Sequence, residues 1–114
     1  MKTWFIALTL VTLLSVTSAP VRPSCTVSPP TAHVLEDFTI SARNLPVSTT
    51  VNMEEYFNYL GGERYYAGTV YNIPTDASGN ASVTMNWSLS GMLTVEFTNI
   101  DNTVDYARCN EVIK

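Results

Sequence analysis

Apolar and polar residues alternate along most of the chain with the two-residue period of β-strands. Residues 81–88 give the clearest case, because Ala, Val, Met and Trp alternate there with Ser, Thr and Asn. No stretch keeps apolar residues on one helical face for three turns. The pattern predicts an all-β domain of about seven strands. These strands are Cys25–Val27, Phe38–Arg43, Val51–Phe57, Arg64–Tyr71, Ala81–Trp87, Leu93–Phe97 and Val104–Cys109.

The predicted strands are short, and they follow one another at intervals of about ten residues with polar turns between them. These intervals leave no room for the crossover helices that parallel sheets require. Two sheets packed face to face accommodate such a set of strands. We therefore expect a single two-sheet sandwich over residues 19–114, with no second domain and no internal repeat.

Two parts of the chain resemble the bacterial-type immunoglobulin-like domains of the IPT/TIG kind. The first is Ser28-Pro29-Pro30 followed by residues 38–46 and Val51, which is similar to the proline-bearing first strand, the second strand and the small bulge of those domains. The second is residues 75–84 with residues 91–95, which is similar to their hairpin and following strand. The resemblance implies an immunoglobulin-like β-sandwich that serves as a binding, adhesion or spacer module without catalytic residues.

The first residues have the layout of a secretory signal. Met1-Lys2 is followed by an uncharged and mostly apolar stretch that ends near Ala19. This stretch is short and rich in Thr and Ser for a stable membrane-spanning helix, so a retained anchor is the weaker alternative. Small residues at Val16 and Ser18 fit cleavage after Ser18. We expect a cleaved signal peptide at residues 1–18 and a secreted, extracellular chain from Ala19 onwards.

The only two cysteines lie near opposite ends of the expected mature chain. Secretion would place Cys25 and Cys109 in an oxidising compartment, where thiols pair. A chain of this length buries little surface for its size, so a covalent link between its ends would help it to fold. We predict a disulfide between Cys25 and Cys109, with two free thiols as the alternative.

The charge balance excludes one class of partner. Six Lys and Arg residues stand against ten Asp and Glu residues, so the formal net charge is −4. Binding to nucleic acid needs a positive stripe along the phosphates, and this chain has no such excess of basic residues. We expect no nucleic-acid partner.

No group of residues has the pattern of a catalytic site. Glu54, Glu55 and Glu63 resemble the paired carboxylates of glycosidases, but adjacent strand residues point to opposite faces and cannot act on one bond. We expect these side chains to be solvated. His33 has no nucleophile motif nearby, and we expect it at the surface.

Metal binding has one weak candidate. Asp76, Ser78 and Asn80 fall at alternate positions, as oxygen ligands do in calcium loops. The twelfth position of that loop would be Trp87 instead of the required glutamate, and the same residues are typical of a hairpin turn. We therefore expect neither a metal nor a cofactor.

Two tripeptides match the acceptor pattern for N-glycosylation. They begin at Asn80 and Asn86, and they matter only if the source is a eukaryote. Asn86 should lie on the polar face of its strand, where a glycan would leave the core undisturbed.

Tyrosines are concentrated around Gly61-Gly62, which supplies the turn of a predicted hairpin. Their flat faces and polar tips suit stacking on sugar rings or anchoring a protein partner, although aromatics also fill cross-strand pairs. The candidate ligand-binding residues are Tyr56, Tyr59, Tyr65 and Tyr66.

These observations favour a secreted, non-enzymatic binding or adhesion module. The expected partner is an extracellular protein or carbohydrate, and the aromatic hairpin is the expected contact surface. The alternatives are a small secreted hydrolase or toxin-like effector, which needs a concave pocket, and a purely structural spacer domain.

Overall fold

The structure is a computed structural model that describes residues 21–59 and 61–114. The predicted signal peptide lies outside the described residues. Eight strands and no helix are present in the described part of the chain. No helix there is long and apolar enough to cross a membrane. The strands are β1 (Ser24–Ser28), β2 (Thr31–Ala32), β3 (Phe38–Arg43), β4 (Thr50–Asn58), β5 (Tyr65–Pro74), β6 (Ala81–Met85), β7 (Gly91–Thr98) and β8 (Asp105–Ile113).

The strands form two sheets that pack as an immunoglobulin-like sandwich. One sheet has the order β1-β3-β6, and the other has the order β2-β8-β7-β4-β5. All neighbouring strands are antiparallel except β2, which pairs in parallel with β8. Pro29-Pro30 lies where the chain leaves the first sheet and joins the second, because proline cannot continue the ladder of hydrogen bonds. The all-β sandwich is thus confirmed, with one additional short strand.

The core lies between the sheets and consists of every second residue of the strands. In β3 the alternation is complete, because Phe38, Ile40 and Ala42 are buried while the residues between them are more exposed. In the larger sheet, Met53, Phe57 and their partners on β7 face the same core. The buried apolar residues are Ala32, Phe38, Ile40, Ala42, Leu45, Val51, Met53, Phe57, Ile73, Ala81, Leu93, Val95, Phe97 and Ile113.

A disulfide joins the two sheets across this core. It links Cys25 on β1 to Cys109 on β8, with 5.6 Å between the Cα atoms and 84 residues of separation. The predicted pairing is confirmed. In the chain-entropy model, closing a loop of this length stabilises the fold by about 4.6 kcal/mol. Disulfides persist in oxidising compartments, so this bond is typical of an extracellular or periplasmic protein.

Three strands end at least two residues away from their predicted ends, and the pairing explains each difference. The strand β5 runs on to Pro74 because Pro74 pairs with Thr50 at the start of β4. The strand β6 ends at Met85 because its partner β3 begins at Phe38, which leaves residues 86–88 without a ladder. The strand β8 runs on to Ile113 because β7 begins at Gly91 and pairs with it. The extension of β8 adds Glu111 to the row of residues that face the core.

Candidate functional site

A pocket of about 340 Å³ opens where β4, β7 and β8 reach the same end of the larger sheet. We call it the hairpin-end pocket, because it borders the turn between β4 and β5. The register brings its walls together, since Met92 pairs with both Asn58 and Val112. Among the described residues, its lining consists of Asn58, Gly61, Ser90, Gly91, Met92, Val112, Ile113 and Lys114.

Gly91 allows β7 to approach β4 at the pocket wall. It has a φ of +153°, and a Cβ atom there would lie 2.4 Å from the carbonyl oxygen of Asn58 and 2.7 Å from Cζ of Phe57. Any other residue would have to displace the backbone of β4. The pocket therefore depends on a glycine at the first position of β7.

The walls of the hairpin-end pocket are mainly apolar. Met92 and Val112 are 38% and 37% exposed, which is high for large apolar side chains, and Ile113 is buried beside them. Asn58 and Ser90 add polar groups, and Lys114 adds the one positive charge of the lining. An apolar cavity with a few polar groups is the usual form of a small-molecule site, and its volume lies in the usual range.

The residue Lys114 is held in place by the segment after β2. Its backbone N–H donates to the carbonyl oxygen of Ala32 at 2.8 Å, and its carbonyl oxygen accepts from the N–H of Val34 at 2.9 Å. These two bonds continue the parallel pairing of β2 with β8. The backbone beneath the lysine side chain is therefore fixed at the pocket.

A buried carboxyl group lies one residue before the pocket wall. Glu111 is 1% exposed and pairs with Leu93 on the core side of the sheet. Neither of its carboxylate oxygens has a hydrogen-bond partner among the described residues, and the same holds for Nε1 of Trp87. Burial, together with the negative charge of Glu36, raises the pKa of Glu111.

The four predicted tyrosines do not form one surface. Tyr56 and Tyr66 pair across β4 and β5 with their ring centroids 5.8 Å apart, and the Arg64 guanidinium lies 4.7 Å above the Tyr56 ring. The Tyr56 hydroxyl donates to the Glu54 carboxylate at 2.9 Å, and this bond raises the pKa of Tyr56. These groups lie on the face of the sheet that points away from the core.

Tyr59 and Tyr65 lie instead on the core side of the hairpin. Their rings contact the edge of Phe57 at centroid distances of 5.5 Å and 6.1 Å. Phe57 is fully buried, so these tyrosines cover a core residue although they are 49% and 43% exposed themselves. Both rings thus lie at the margin of the core, and a role of Tyr59 and Tyr65 in ligand binding stays a prediction.

The candidate glutamates divide between the two faces of β4, as adjacent strand residues must. Glu54 faces outwards and pairs with Glu96, whereas Glu55 pairs with Val95 on the core side. Glu55 is only 8% exposed, and burial raises its pKa. The expectation of a solvated side chain is therefore wrong for Glu55. Glu63 is exposed in the hairpin turn.

The candidate calcium loop is a turn closed by hydrogen bonds to Asp76. Its Oδ1 atom accepts from the backbone N–H groups of Ser78 at 2.9 Å and Asn80 at 2.8 Å. These bonds lower the pKa of Asp76. The carboxylate thus stabilises the turn between β5 and β6.

The remaining candidates lie at the surface. His33 is exposed, and its backbone N–H donates to Oε1 of Glu36 at 2.8 Å. Asn80 and Asn86 are also exposed, and the Asn86 amide donates to the Asp37 carboxylate at 3.1 Å. Glycosylation of either asparagine stays a prediction.

Comparison with known proteins gives a fold but no family. No protein-family model and no curated protein matches the chain. A variant of superoxide reductase (neelaredoxin) from Ignicoccus hospitalis matches 84% of this chain and 82% of its own, with a TM-score of 0.50 and 19% identity. A second structure of that reductase matches 82% of this chain and 81% of its own, with a TM-score of 0.49 and 19% identity. A third match is the CARDB domain of a Pyrococcus furiosus protein in complex with di-metal ions. It covers 85% of this chain and 97% of its own, with a TM-score of 0.39 and 13% identity.

These matches correct the functional prediction. The sequence predicts a non-enzymatic binding or adhesion module, whereas the matching structure with a TM-score of 0.50 is named as a variant of a reductase, which is an enzyme. The prediction of a non-enzymatic adhesion module is therefore contradicted. An identity of 19% shows a shared fold alone, and one fold hosts many unrelated functions. The resemblance to IPT/TIG domains stays a prediction.

The residues that the structure describes do not bring together the ligands of a redox metal centre. Such centres use imidazole, thiolate or carboxylate ligands in a cluster. The chain has one histidine, and both of its cysteines are bound in the disulfide. Across residues 21–59 and 61–114, no three His, Cys, Asp or Glu side chains group together so that they could hold a metal ion. We derive no reaction step through a metal.

Proposed function

We propose that the hairpin-end pocket binds a small, mainly apolar molecule. The supporting observation is the pocket itself, which combines a volume of about 340 Å³ with apolar walls and a few polar groups. Large side chains such as Met92 and Val112 would expose costly apolar surface there unless a ligand covers it for part of the time. The proposal covers substrates and ligands alike, because either would have to enter this pocket.

The shape of the fold supports a pocket rather than a flat contact surface. Two of the tyrosines that sequence reasoning assigned to recognition, Tyr59 and Tyr65, pack on the core. Met92 and Val112, in contrast, come from strand ends and stay partly exposed at the pocket. A small molecule is thus the occupant that fits this volume.

The experiment uses N-phenyl-1-naphthylamine, a neutral apolar probe whose fluorescence increases in apolar sites. We expect saturable binding to the wild-type protein. Met92→Glu introduces a charge into the wall and should weaken binding about tenfold or more, since burying an unpaired charge is unfavourable. The matched control is Ile100→Glu, because Ile100 is 59% exposed in the turn between β7 and β8. Absence of saturable binding, or equal weakening by both variants, would contradict the proposal.

We further propose that the protein works outside the cytoplasm after removal of residues 1–18. The supporting observations are the signal-like sequence and the disulfide between Cys25 and Cys109. Expression with a secretion-competent host should yield material that begins at Ala19. Mass spectrometry of the exported protein tests this, and a retained N-terminus would contradict it.

A further inference from the structure

We infer that the hairpin-end pocket prefers molecules with an anionic head group, and that Lys114 binds this group. The inference rests on the proposed function, because it names the chemical class of the ligand for the same pocket. The class is an apolar carboxylic acid in its ionised form, with the apolar part against Met92 and Val112.

The first argument is the charge of the lining. Lys114 is the one charged residue among those that line the pocket, and the chain as a whole carries a formal net charge of −4. The pocket therefore presents a local positive charge on an acidic protein.

The second argument is that no acidic side chain neutralises this lysine in the described structure. The one ion pair within residues 21–59 and 61–114 joins Arg108 to Glu96, with 2.8 Å between Nη2 and Oε2. The three N–H donors of the Lys114 ammonium are thus available to a ligand. The two backbone hydrogen bonds of Lys114 to the segment after β2 fix its main chain beside the pocket.

The third argument is the arrangement of polar and apolar groups. Asn58 and Ser90, which carry hydrogen-bond donors, line the pocket together with Lys114, while Met92, Val112 and Ile113 supply the apolar part. A molecule with one polar end and one apolar end satisfies both parts. A wholly apolar molecule would lack the charge-assisted hydrogen bond that an anionic head group accepts from the ammonium.

The test compares octanoate with 1-octanol, which have the same chain length but different head groups. Each displaces N-phenyl-1-naphthylamine from the wild-type protein at neutral pH. We expect octanoate to bind about fivefold to tenfold more tightly than octanol, because a charge-assisted hydrogen bond is about twice as strong as a neutral one. Lys114→Gln should remove this preference and leave the affinity for octanol unchanged within about twofold.

The matched control is Arg43→Gln, which removes an exposed positive charge at the last residue of β3, in the smaller sheet and outside the pocket lining. It should retain the preference for octanoate. Equal affinities for octanoate and octanol in the wild-type protein, or a preference that survives Lys114→Gln, would overturn the inference while the pocket stays a binding site. Failure of both molecules and of the neutral probe to bind would overturn the proposed function itself, and the charge preference with it.

Discussion

Replacing the buried Glu111 by glutamine should stabilise the protein at neutral pH. The side chain is 1% exposed, and neither carboxylate oxygen has a partner in the described structure. Ionisation therefore places a negative charge in the core with the Glu36 charge nearby. Glutamine has nearly the same shape and carries no charge, so Glu111→Gln removes the electrostatic cost and retains the packing.

The size and sign of this effect follow from the raised pKa of Glu111. Its folded-state pKa lies above the unfolded value of about 4.3, so the folded state holds the proton more tightly. The contribution of this group to stability is constant at low pH and falls as the pH rises from the unfolded to the folded pKa. Each pH unit between the unfolded-state and the folded-state pKa lowers the free energy of unfolding by about 1.4 kcal/mol. The glutamine amide would be buried without partners as well, so the expected gain at pH 7.5 is the cost of ionisation alone, about 1.4 kcal/mol for each pH unit between the two pKa values.

The assay is urea unfolding of the wild-type protein and Glu111→Gln between pH 4 and pH 8. The difference in unfolding free energy should be near zero at pH 4 and should increase with pH. The control is Glu63→Gln, because Glu63 is exposed and its replacement should change stability by less than about 0.5 kcal/mol. A Glu111→Gln protein that is less stable than wild type at pH 7.5, or a difference that does not depend on pH, would refute this reasoning.

Three further predictions concern stability. Cys25→Ser should lower the free energy of unfolding by about 2 to 5 kcal/mol, because it opens the disulfide between the sheets, and an unchanged urea midpoint would contradict this. The double substitution of Tyr59 and Tyr65 by Ser should lower the melting temperature, because both rings cover the buried Phe57. A melting temperature equal to that of the wild-type protein would show that the two rings are not part of the packing. Gly91→Ala should destabilise the protein by about 1 to 3 kcal/mol in calorimetry, because its Cβ would meet backbone atoms of β4. Gly61→Ala should cost less, because its φ of +77° strains an alanine but no described atom lies within 4 Å of the added Cβ. Equal losses for the two glycines would contradict the steric argument.

Most of the strands could be predicted because their alternation of apolar and polar residues decides which face is buried. Phe38, Ile40 and Ala42 follow this rule throughout β3. The two-residue strand β2 carries no such signal, because it follows Pro29-Pro30 and is too short to show a period. Its position depends on pairing with the last residues of β8, which lie far away in sequence.

The buried glutamates were missed although the alternation contains a signal for them. Glu55 falls in the same row as Met53 and Phe57, and Glu111 falls in the same row as Cys109. Acidic residues are mostly exposed in proteins, which favours a solvated side chain, whereas the two-residue period of the strand favours a buried one. At both positions the two-residue period of the strand places the glutamate on the buried face.

The hairpin-end pocket could not be predicted from local sequence. Its lining comes from three separate segments, with residues 58 and 61 in the first, 90–92 in the second and 112–114 in the third. Only the register of β4, β7 and β8 brings these segments to one end of the sheet. No motif marks such a site, because its residues are ordinary strand ends.

The most direct test of the proposed pocket is methyl NMR of the wild-type protein titrated with N-phenyl-1-naphthylamine. Methyl groups of Met92, Val112 and Ile113 line the pocket, so their signals should shift together along one saturable binding curve. The methyl groups of Ile100, which is exposed in a distant turn, should stay in place. Signals of the pocket methyl groups that do not move at saturating probe, or shifts confined to residues near Tyr66 on the outer face, would contradict the account.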